Sequence, residues 1–502
     1  MTTASPASTE PQAQTQPPTY LNFIGGEWRA SASGQTFANT NPARPSEIIG
    51  HFQKSNTGDV SEAIAAAQAA LPAWRAMPAP QRGSIILKAA LLLEQRQAEI
   101  AREATREMGK PLRETLGDLQ TAIDFGKYVA GEGSRPEGDT VPSALNDKIC
   151  LTIREPLGVV GIITPWNFPV AIPAWKTFPA LLAGNTVVLK PASDTPLTAL
   201  RLTEILDEAG LPKGVLNFVT GPGGTLGDAL VTDPRVAMIS LTGSTEVGKR
   251  VAELCGRDLR RVSLELGGKN AVIVMDDANL DEAVKAVAWG GFGTTGQRCT
   301  ATSRVIVHES VAEEFGRKLA EAAESQRVGD GLDDATQVGP LVNTGRVAAV
   351  HEYTEIGLAE GATLLTGGHA LTESALEGGA YYAPTVFTNV KTSMRIAQEE
   401  IFGPVVSIIP VASYEEAIAA ANSTIYGLSC AIFTENARTV FRAMRDIQAG
   451  LIYINAGTTG AEPHLPFGGV KQSGNGHREL GHKAVEEFSE TKTVFVSYPN
   501  VG

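Results

Sequence analysis

Residues 158–169 read Gly-Val-Val-Gly-Ile-Ile-Thr-Pro-Trp-Asn-Phe-Pro, a short apolar run that stops at a Thr-Pro turn. Similar runs recur downstream, and helical stretches separate them. The strand candidates are Gly158–Ile163, Thr186–Leu189, Val215–Val219, Met238–Leu241 and Val262–Leu266, and the helix candidates lie near Leu197–Ala209, Thr225–Val231 and Thr245–Cys255. Uninterrupted apolar strands that alternate with helices are typical of a parallel sheet covered on both faces. This stretch therefore predicts an α/β fold.

The flanking segments extend the pattern in both directions. After Gly267, strands are predicted at Ala271–Met275, Arg304–Val307 and Leu451–Asn455, and helices at Leu280–Trp289 and Val311–Ala323. Upstream, we expect a strand pair over Leu21–Arg29 and helices over Val60–Ala76 and Ser84–Met108. Lys492–Ser497 alternates like an exposed edge strand, which needs a partner strand in this chain or in another subunit. Two α/β lobes are therefore expected.

The composition excludes several classes of protein. The 502 residues carry 42 basic and 55 acidic side chains, a formal net charge of -13, whereas nucleic-acid binding needs clustered Lys and Arg. No apolar run approaches the ~20 residues of a membrane-spanning helix. The seven His form no HExxH-type metal motif. The segment from Met1 to about Pro18 is rich in Thr, Ser, Pro and Gln, and we expect a disordered tail rather than a signal peptide.

The cysteines indicate both a compartment and a candidate nucleophile. Four of them stand alone, without a CxxC pair: Cys150, Cys255, Cys299 and Cys430. They form neither a zinc ribbon nor a disulfide scaffold, so a reducing cytoplasm is expected. Cys299 lies in Gly293-Thr-Thr-Gly-Gln-Arg-Cys-Thr-Ala-Thr-Ser-Arg304, where two arginines would favour the reactive thiolate. A buried structural Cys is an equally good interpretation of that segment alone.

Two further segments place polar side chains at the ends of apolar strands, where parallel sheets bind ligands. Glu265 ends the strand in Ser263-Leu-Glu-Leu-Gly-Gly-Lys269, where burial can raise its pKa and make it a general base. An outward-facing Glu on an alternating strand is the alternative. Asn167, in Thr164-Pro-Trp-Asn-Phe-Pro169, offers an amide that can hold an oxyanion, or it is an ordinary turn residue.

Three loops that follow strands are suited to phosphate. Gly221-Pro-Gly-Gly-Thr-Leu-Gly227 and Thr242-Gly-Ser-Thr-Glu-Val-Gly248 put Gly and hydroxyl residues before a helix, where N–H groups and the helix dipole attract anions. Lys190-Pro-Ala-Ser-Asp194 adds a contact for a nucleotide ribose or its phosphate. None of these loops is the GxGxxG fingerprint followed by an acidic residue, so each loop alone would be weak evidence.

Taken together, six motifs in one order resemble the aldehyde dehydrogenase superfamily from about residue 20 to the end. They are Thr164-Pro-Trp-Asn-Phe-Pro, Leu241-Thr-Gly-Ser-Thr-Glu-Val-Gly, Leu264-Glu-Leu-Gly-Gly-Lys, Gly296-Gln-Arg-Cys-Thr, Glu399-Glu-Ile-Phe-Gly-Pro-Val and Pro466-Phe-Gly-Gly. The resemblance implies a Rossmann-type cofactor domain over 18–130 and 156–266, and an α/β catalytic domain over 267–483. It also implies a small β oligomerisation arm over 131–155 and 484–502, which leaves residues 1–17 as the tail.

The resemblance also implies catalytic roles. Cys299 matches the nucleophile that attacks the aldehyde carbon, and Asn167 with the Cys299 backbone N–H would hold the thiohemiacetal oxyanion. Hydride then passes to the nicotinamide and leaves a thioester. Glu265 matches the base that activates water, which predicts a free acid as the product rather than acyl transfer to coenzyme A. Lys176 and Glu479 match the family's proton relay.

The implied cofactor is NAD or NADP. Trp166, Lys190 and Ser244 match contacts to its adenosine and pyrophosphate, and Glu400 and Phe402 match contacts on the nicotinamide ribose side. The other expected cofactor-binding residues are Ile163, Thr164, Pro165, Ser193, Gly223 and Gly243. Many NAD-preferring relatives have Glu where Ser193 stands. A Ser tolerates a 2′-phosphate, with Lys190 as its partner. Asp194 would restore the repulsion if it turned inward, so both cofactors stay open.

The sequence indicates the type of reaction more clearly than it indicates the substrate. The family's aldehyde tunnel would be lined at or near Phe168, Trp175, Phe292 and Phe467. Succinic semialdehyde enzymes of similar sequence commonly have Arg where Trp175 stands, which argues against that substrate. A broad-specificity enzyme for apolar aldehydes is one alternative.

Arg298 supports a different alternative, an ω-semialdehyde that carries a remote acid. With Gly460-Ala-Glu462 it resembles the aminoadipic semialdehyde branch, in which this Arg helps to anchor the substrate carboxylate. The segment Pro463-His-Leu-Pro466 departs from the Gly-rich continuation of that branch. A structural ion pair is the other interpretation of Arg298.

The implied function is the oxidation of a small-molecule aldehyde by a homodimer or homotetramer, without nucleic-acid or membrane partners. Two other classes remain. The same thiol, oxyanion hole and base can run a cofactor-free thioesterase or esterase reaction, or the chain can be a binding relative whose chemistry has lapsed. The intact cofactor segments argue against both.

Overall fold

The computed structural model describes residues 16–135 and 138–498. Residues 1–15 of the predicted tail and 499–502 of the predicted arm lie outside the described residues. Within the described ranges, the strands are β1 (Asn22–Ile24), β2 (Glu27–Arg29), β3 (Thr36–Asn41), β4 (Arg44–Gln53), β5 (Thr140–Val141), β6 (Lys148–Pro156), β7 (Val159–Ile163), β8 (Thr186–Lys190), β9 (Leu216–Phe218), β10 (Val236–Thr242), β11 (Arg261–Glu265), β12 (Asn270–Val274), β13 (Thr302–His308), β14 (Thr363–Thr366), β15 (Thr385–Thr388), β16 (Val405–Val411), β17 (Tyr426–Gly427), β18 (Ser429–Phe433), β19 (Leu451–Ile454), β20 (Val470–Lys471) and β21 (Ser489–Ser497).

Helices connect most of these strands. They are α1 (Thr57–Ala76), α2 (Ala79–Gln95), α3 (Gln97–Met108), α4 (Leu112–Glu132), α5 (Ala171–Leu182), α6 (Pro196–Glu208), α7 (Gly223–Thr232), α8 (Thr245–Arg257), α9 (Leu280–Phe292), α10 (Glu309–Glu324), α11 (Thr344–Ala359), α12 (Arg395–Gln398), α13 (Tyr414–Asn422), α14 (Ala437–Asp446) and α15 (Gly481–Glu487). In residues 16–135 and 138–498, no helix is both long enough and apolar enough to cross a membrane.

The first large sheet has the strand order β11-β10-β7-β8-β9-β1-β2. Strands β7 to β11 run parallel, and β1 with β2 adds an antiparallel edge, so the predicted parallel sheet is confirmed. The register aligns the carboxyl ends of the strands, with Ile163 opposite Lys190 and Thr242 opposite Glu265. Because that edge of a parallel sheet is where ligands bind, the polar residues that follow these strands converge there.

The second large sheet has the order β14-β15-β16-β13-β12-β18-β19. All of its strands are parallel except β14, which runs antiparallel to β15. Its central strands are buried along their length, as the Val and Ile runs predict. Two α/β sheets, one on each side of Gly267, are thus present as expected.

A third, smaller sheet is formed by β21, β6 and β5 in that order, with antiparallel pairing. It joins the last described strand to the segment before β7, as the predicted arm requires. The pairing of β21 with β6 is made within one chain, so it does not itself need a second subunit. The outer edge of β21 carries no further strand within the described residues.

One predicted helix is wrong in its continuity. Ser84–Met108 was expected as one helix, but the structure has α2 and α3, interrupted at Arg96. Arg96 has φ -106° and ψ 11°, outside the helical range, although its N–H still donates to carbonyls of α2. Both helices pack on α4 and α6, and in addition α2 packs on α5 whereas α3 packs on β3.

Candidate functional site

Two cavities meet at Cys299. The first, called the groove, has a volume of about 580 Å³ and runs along the carboxyl edge of the first sheet, between Ser193 and Glu400. The second, called the tunnel, has a volume of about 290 Å³ and is lined by Phe168, Trp175 and Glu265 among others. Cys299 lines both cavities, so a molecule in each would meet at its sulfur.

The turn that presents Cys299 depends on an unusual backbone. Thr294 and Thr295 have φ values of 50° and 57°, and Gly296 follows with φ 68°. A Cβ atom at Gly296 would lie 2.1 Å from the Gly403 carbonyl oxygen, so a larger residue does not fit. The Asn270 side-chain amide then donates to the Cys299 carbonyl at 2.8 Å. These contacts hold the thiol just before β13, facing the edge of the first sheet.

The electrostatics of Cys299 differ from the sequence prediction. Burial raises the pKa of its thiol to about 12, and the negative charges of Glu400, Glu265 and Glu479 act in the same direction. The expectation that neighbouring arginines favour the thiolate is therefore wrong for this state of the protein. Deprotonation of the thiol must be coupled to binding or to the chemical step.

The two arginines are engaged elsewhere. The Arg298 guanidinium forms an ion pair with Glu114 at 2.8 Å and also donates to the Thr294 hydroxyl at 2.9 Å. Arg304 is buried and donates to three backbone carbonyls. Proximity in sequence therefore did not place either positive charge next to the Cys299 sulfur.

Glu265 ends β11 with its side chain buried at 3% exposure, so the outward-facing alternative is wrong. Neither carboxylate oxygen has a hydrogen-bond partner among the described residues. Burial raises its pKa well above the ordinary value, and the charge of Glu479 adds to this, while Lys176 opposes it. A carboxyl group in this state has free lone pairs and an elevated basicity, the properties of a general base.

Lys176 and Glu479 form a buried ion pair close to Glu265. Lys176 lies on α5 and also donates to the Ser240 hydroxyl at 3.0 Å. The Glu479 backbone pairs with Phe467, which lines the tunnel. The structure thus brings together the two residues that the resemblance assigns to a proton relay.

Asn167 follows β7 and is buried at 3% exposure. Its side-chain amide donates to the Gln297 carbonyl at 3.0 Å, and its own carbonyl accepts from Lys110 at 3.0 Å. An Asn amide has two N–H groups, and this bond uses one of them. Asn167 and Cys299 both line the groove, where the second N–H can meet an oxyanion.

The walls of the groove contain every residue predicted to contact the cofactor. These are Ile163, Thr164, Pro165, Trp166, Lys190, Ser193, Gly223, Gly243, Ser244, Glu400 and Phe402. At one end Trp166 and Phe402 pack edge to face, with ring centroids 5.3 Å apart. Glu400 accepts from the Gly268 N–H at 2.9 Å, and burial raises its pKa to about 7.

At the other end of the groove, Lys190 and Ser193 lie beside Asp194. Lys190 is buried, which lowers its pKa to about 8, and it donates to the Pro191 carbonyl at 2.8 Å. The Ser193 hydroxyl donates to the Gly221 carbonyl at 3.0 Å. Asp194 lines the groove and accepts from the Asn343 amide at 2.9 Å, so a negative charge does stand near this end.

Arg346 also lines the groove, although no sequence motif predicts it. Its guanidinium donates to the Phe402 carbonyl at 3.2 Å, while its Nε has no partner among the described residues. Arg346 lies in the first turns of α11 and belongs to no motif, so only the packing of α11 against the 400–403 segment reveals it. Buried hydroxyls of Thr164 and Thr242 are likewise unpartnered within the described chain and line the groove. Unsatisfied donors of this kind fit a polar, anionic nucleotide.

The tunnel is mostly aromatic. Phe168, Trp175 and Phe467 line it, and the Trp175 and Phe467 rings lie 5.6 Å apart. Phe292 does not line it, because it ends α9 with its ring packed in the core against the second sheet. The polar part of the wall includes Arg113 and Arg298.

The two tunnel arginines differ in how their charge is compensated. Arg298 is paired with Glu114, and its guanidinium lies over the Trp289 ring at 4.6 Å, which is the structural ion pair named above as the alternative. Arg113 is exposed, and its guanidinium donates to the backbone carbonyls of Thr336 and Gln337. Backbone carbonyls carry no full charge, so the positive charge of Arg113 is not neutralised and still attracts an anion. The charge of Arg298 is largely neutralised by Glu114.

Comparison with known proteins places these cavities in a family context. A model of the "Aldehyde dehydrogenase family" matches residues 28–494. The alpha-ketoglutaric semialdehyde dehydrogenase of Bacillus subtilis is 47% identical over 96% of this chain and 99% of its own. The 2,5-dioxopentanoate dehydrogenase of Saccharolobus solfataricus is 42% identical over 94% and 98%. Human retinaldehyde dehydrogenase 3 is 44% identical over 94% and 92%.

Solved structures agree in fold. The betaine aldehyde dehydrogenase of Staphylococcus aureus, solved with NAD+, has a TM-score of 0.94 and 35% identity, covering 96% of this chain and 95% of its own. An NADP-dependent enzyme of E. coli has a TM-score of 0.92 and 38% identity, covering 96% and 98%. Relatives of both cofactor types therefore share this architecture, and none of these comparisons favours a cofactor-free esterase.

Proposed function

The chain belongs to the aldehyde dehydrogenase family, and we propose that its substrate is a short acid semialdehyde. As a member of this family it oxidises an aldehyde to a carboxylic acid with NAD or NADP. The specific candidate is 2,5-dioxopentanoate, also called α-ketoglutaric semialdehyde. The observation that carries the proposal is that two relatives, at 47% and 42% identity over nearly the full chain, are named for this one compound.

In the proposed chemistry Cys299 attacks the aldehyde carbon where the tunnel meets the groove. The second amide N–H of Asn167 and the Cys299 backbone N–H hold the oxygen that becomes negative, which stabilises the thiohemiacetal. Glu265 then takes a proton from the water that hydrolyses the thioester, since its buried and unpartnered carboxyl is placed in the tunnel wall. Lys176 and Glu479 pass that proton onward.

The groove fits a dinucleotide in both shape and charge. The first turns of α7 and α8, with Gly223 and Ser244, offer N–H groups to a pyrophosphate. Arg346 and Glu400 line the same groove as Cys299 and offer a charged donor and a charged acceptor to the bound cofactor. When bound, the nicotinamide supplies the hydride acceptor.

We assign the recognition of the substrate carboxylate to Arg113 ahead of Arg298. Arg113 is exposed on the tunnel wall without an acidic partner among the described residues, whereas Glu114 already balances Arg298. A five-carbon acid would place its aldehyde at Cys299 and its carboxylate toward the polar part of the wall. The aromatic side chains then pack against the carbon chain between the two ends.

A substrate panel tests this proposal. The values of kcat/KM for 2,5-dioxopentanoate, succinic semialdehyde, hexanal and retinaldehyde are compared with both cofactors, and 2,5-dioxopentanoate is expected to rank first. Arg113→Ala should raise KM for the acid substrates by roughly tenfold and leave hexanal unchanged, because a charged hydrogen bond contributes about 1.5–3 kcal/mol. Arg298→Ala serves as the comparison, and Cys299→Ala as the inactive control. A preference for hexanal or retinaldehyde would overturn the proposed substrate.

The domain division, the oligomeric state and the location are proposed as well. We propose a cofactor domain over 18–130 and 156–266, a catalytic domain over 267–483, and an arm over 131–155 and 484–502 that joins a homodimer or homotetramer. The strands of the three larger sheets fall into these ranges, which supports the division. The four unpaired cysteines support a cytoplasmic location.

A further inference from the structure

Glu487, the last residue of α15, carries a buried carboxyl group that the chemistry above does not use. The residue is 7% exposed, and neither carboxylate oxygen has a hydrogen-bond partner among the described residues. Burial raises its pKa to about 8, while Ser263, Lys176 and Arg261 act in the opposite direction and Glu479 adds to the rise. A buried and unpartnered polar group is costly, so its presence needs an explanation.

Strand β11 connects the surroundings of Glu487 to the tunnel. Successive side chains on a strand alternate between faces, so Arg261, Ser263 and Glu265 share one face at a spacing of about 7 Å. Glu265 lines the tunnel at one end of this row, and Ser263 is completely buried in the middle. Arg261 stands at the outer end.

The neighbouring strand makes a second connection to the same place. Ser240 on β10 lies opposite Ser263 in the sheet register, so the two hydroxyls are neighbours on one face. Lys176 donates to Ser240 and forms the ion pair with Glu479. Ser263 therefore lies next to Glu265 on the same face of β11, and Ser240 connects it to Lys176.

An outer cavity of about 400 Å³ lies on the far side of Glu487. Its lining includes Glu487 and Arg261, and also His477, Lys483 and Glu490. Lys483 and Glu490 are exposed, so this cavity is open to solvent. Glu487 consequently stands between the buried relay and water.

We propose that Glu487, together with Ser263, carries protons from the Glu265–Lys176–Glu479 cluster to the outer cavity. The proposal rests on the proposed function, because the overall reaction consumes one water and releases two protons for each aldehyde converted to a carboxylate. In the step concerned, water loses a proton to Glu265 as its oxygen bonds to the thioester carbon and the Cys299 sulfur leaves. Glu487 takes up the proton that this cluster releases and gives it to solvent, so no other reactant is required.

The geometry suits transfer in short steps. Distances of about 7 Å between groups on one face of a strand are crossed by one bridging water, and the two serine hydroxyls can both accept and donate a proton. A Glu487 pKa of about 8 is close to working pH, so that carboxyl can load and unload readily.

The test is Glu487→Gln, which keeps the shape and removes the titration. Rapid mixing with aldehyde and cofactor should give a burst of reduced cofactor equal to that of the wild type. The rate after the burst should fall by roughly tenfold in weak buffer. Raising the concentration of imidazole buffer should restore that rate, because imidazole enters the outer cavity and replaces the missing proton carrier. A Ser263→Ala variant should show the same pattern to a smaller extent.

Two comparisons keep the outcome specific. Glu490→Gln removes an exposed carboxylate from the same outer cavity, and its rates should match the wild type at every buffer concentration. Glu265→Gln should keep the burst and lose steady turnover without rescue by imidazole, because the base itself is missing. A Glu487→Gln enzyme with unchanged rates in weak buffer, or with a slow phase that buffer does not restore, overturns the proposal. Absence of any cofactor reduction by the wild type with 2,5-dioxopentanoate would instead contradict the proposed function.

Discussion

The thiol of Cys299 is held in its protonated form, and this property leads to a pH prediction. Because its pKa is raised to about 12, the thiolate fraction at pH 7 is very small and should rise about tenfold with each pH unit. Alkylation of the free enzyme by iodoacetamide should therefore accelerate from pH 7 to 10 without a plateau. Mass spectrometry of the Cys299 peptide measures the rate, since the other three cysteines are buried. A plateau near pH 8 would contradict the raised pKa.

Substitutions can separate the contributions of the neighbouring carboxylates to the raised pKa of the Cys299 thiol. Glu400→Gln should accelerate alkylation several-fold at pH 8–9, because it removes a carboxylate that is ionised above its pKa of about 7. Glu265→Gln should change the rate less at the same pH, since Glu400 contributes more than Glu265 to the raised pKa of the Cys299 thiol. Equal acceleration by both variants would contradict the larger contribution of Glu400.

The side chain at position 193 should decide how the enzyme discriminates between the two cofactors. Ser193→Glu places a carboxylate on the groove wall near Lys190, where it repels a 2′-phosphate. The ratio of kcat/KM for NADP to that for NAD should fall by roughly tenfold or more, since like charges in contact cost more than 1.4 kcal/mol. Ser193→Gln is the uncharged control and should leave the ratio within about threefold. Negligible turnover of the wild type with NADP would instead mean that Asp194 already excludes the phosphate.

At the residue scale, the sequence was informative where chemistry requires one residue type. Cys299, Glu265 and Asn167 stand in motifs, and the structure brings them to one edge of the sheet. The charges around them could not be predicted in the same way. The pairing of Arg298 with Glu114 and the approach of Arg346 to Phe402 each join segments more than 50 residues apart. Adjacency along the chain does not report such contacts.

At the scale of elements, the interruption between α2 and α3 shows a limit of periodicity. The buried positions Ile86, Ala90 and Leu93 of α2 continue at Ile100 and Ala104 of α3, with spacings that one unbroken helix would also give. Because only one residue between the two helices is non-helical, the buried positions of α3 keep nearly the same spacing as those of α2. The pattern of apolar residues therefore gives no sign of the break.

The docking of α3 on α6 gives a prediction at this scale. The Glu107 carboxylate of α3 accepts from the Leu197 N–H and from both the N–H and the hydroxyl of Thr198, in the first turn of α6. Glu107→Ala leaves these buried donors unpaired, which should cost about 3 kcal/mol. We expect a lower thermal midpoint and faster amide exchange over residues 196–208. Glu99→Ala, on the exposed face of α3, is the control and should leave both measurements unchanged.

For the whole molecule, the net charge of -13 opposes the binding of an anionic dinucleotide, so local positive groups must hold it. Buried Lys190, the first turns of α7 and α8, and Arg346 are the groups that the groove provides. The alternation of strands and helices predicted both large sheets correctly. It could not predict that β1 and β2 extend the first sheet, because β1 pairs through Phe23 with Phe218 on β9, in a distant part of the chain.

The small sheet of β5, β6 and β21 gives the last prediction, because its surface is unusually apolar. Phe495 is 65% exposed on one face of this sheet, and Ile149 and Val496, which face each other across the strands, are exposed on the opposite face. Exposed apolar side chains on both faces of a sheet, beside an unpaired strand edge, are typical of a subunit interface. Phe495→Glu should therefore shift the sedimentation coefficient from that of the proposed homodimer or homotetramer toward a smaller species. Leu358→Glu changes an exposed Leu on α11 and should not alter the size. If Phe495→Glu sediments like the wild type, the interface lies elsewhere on the chain.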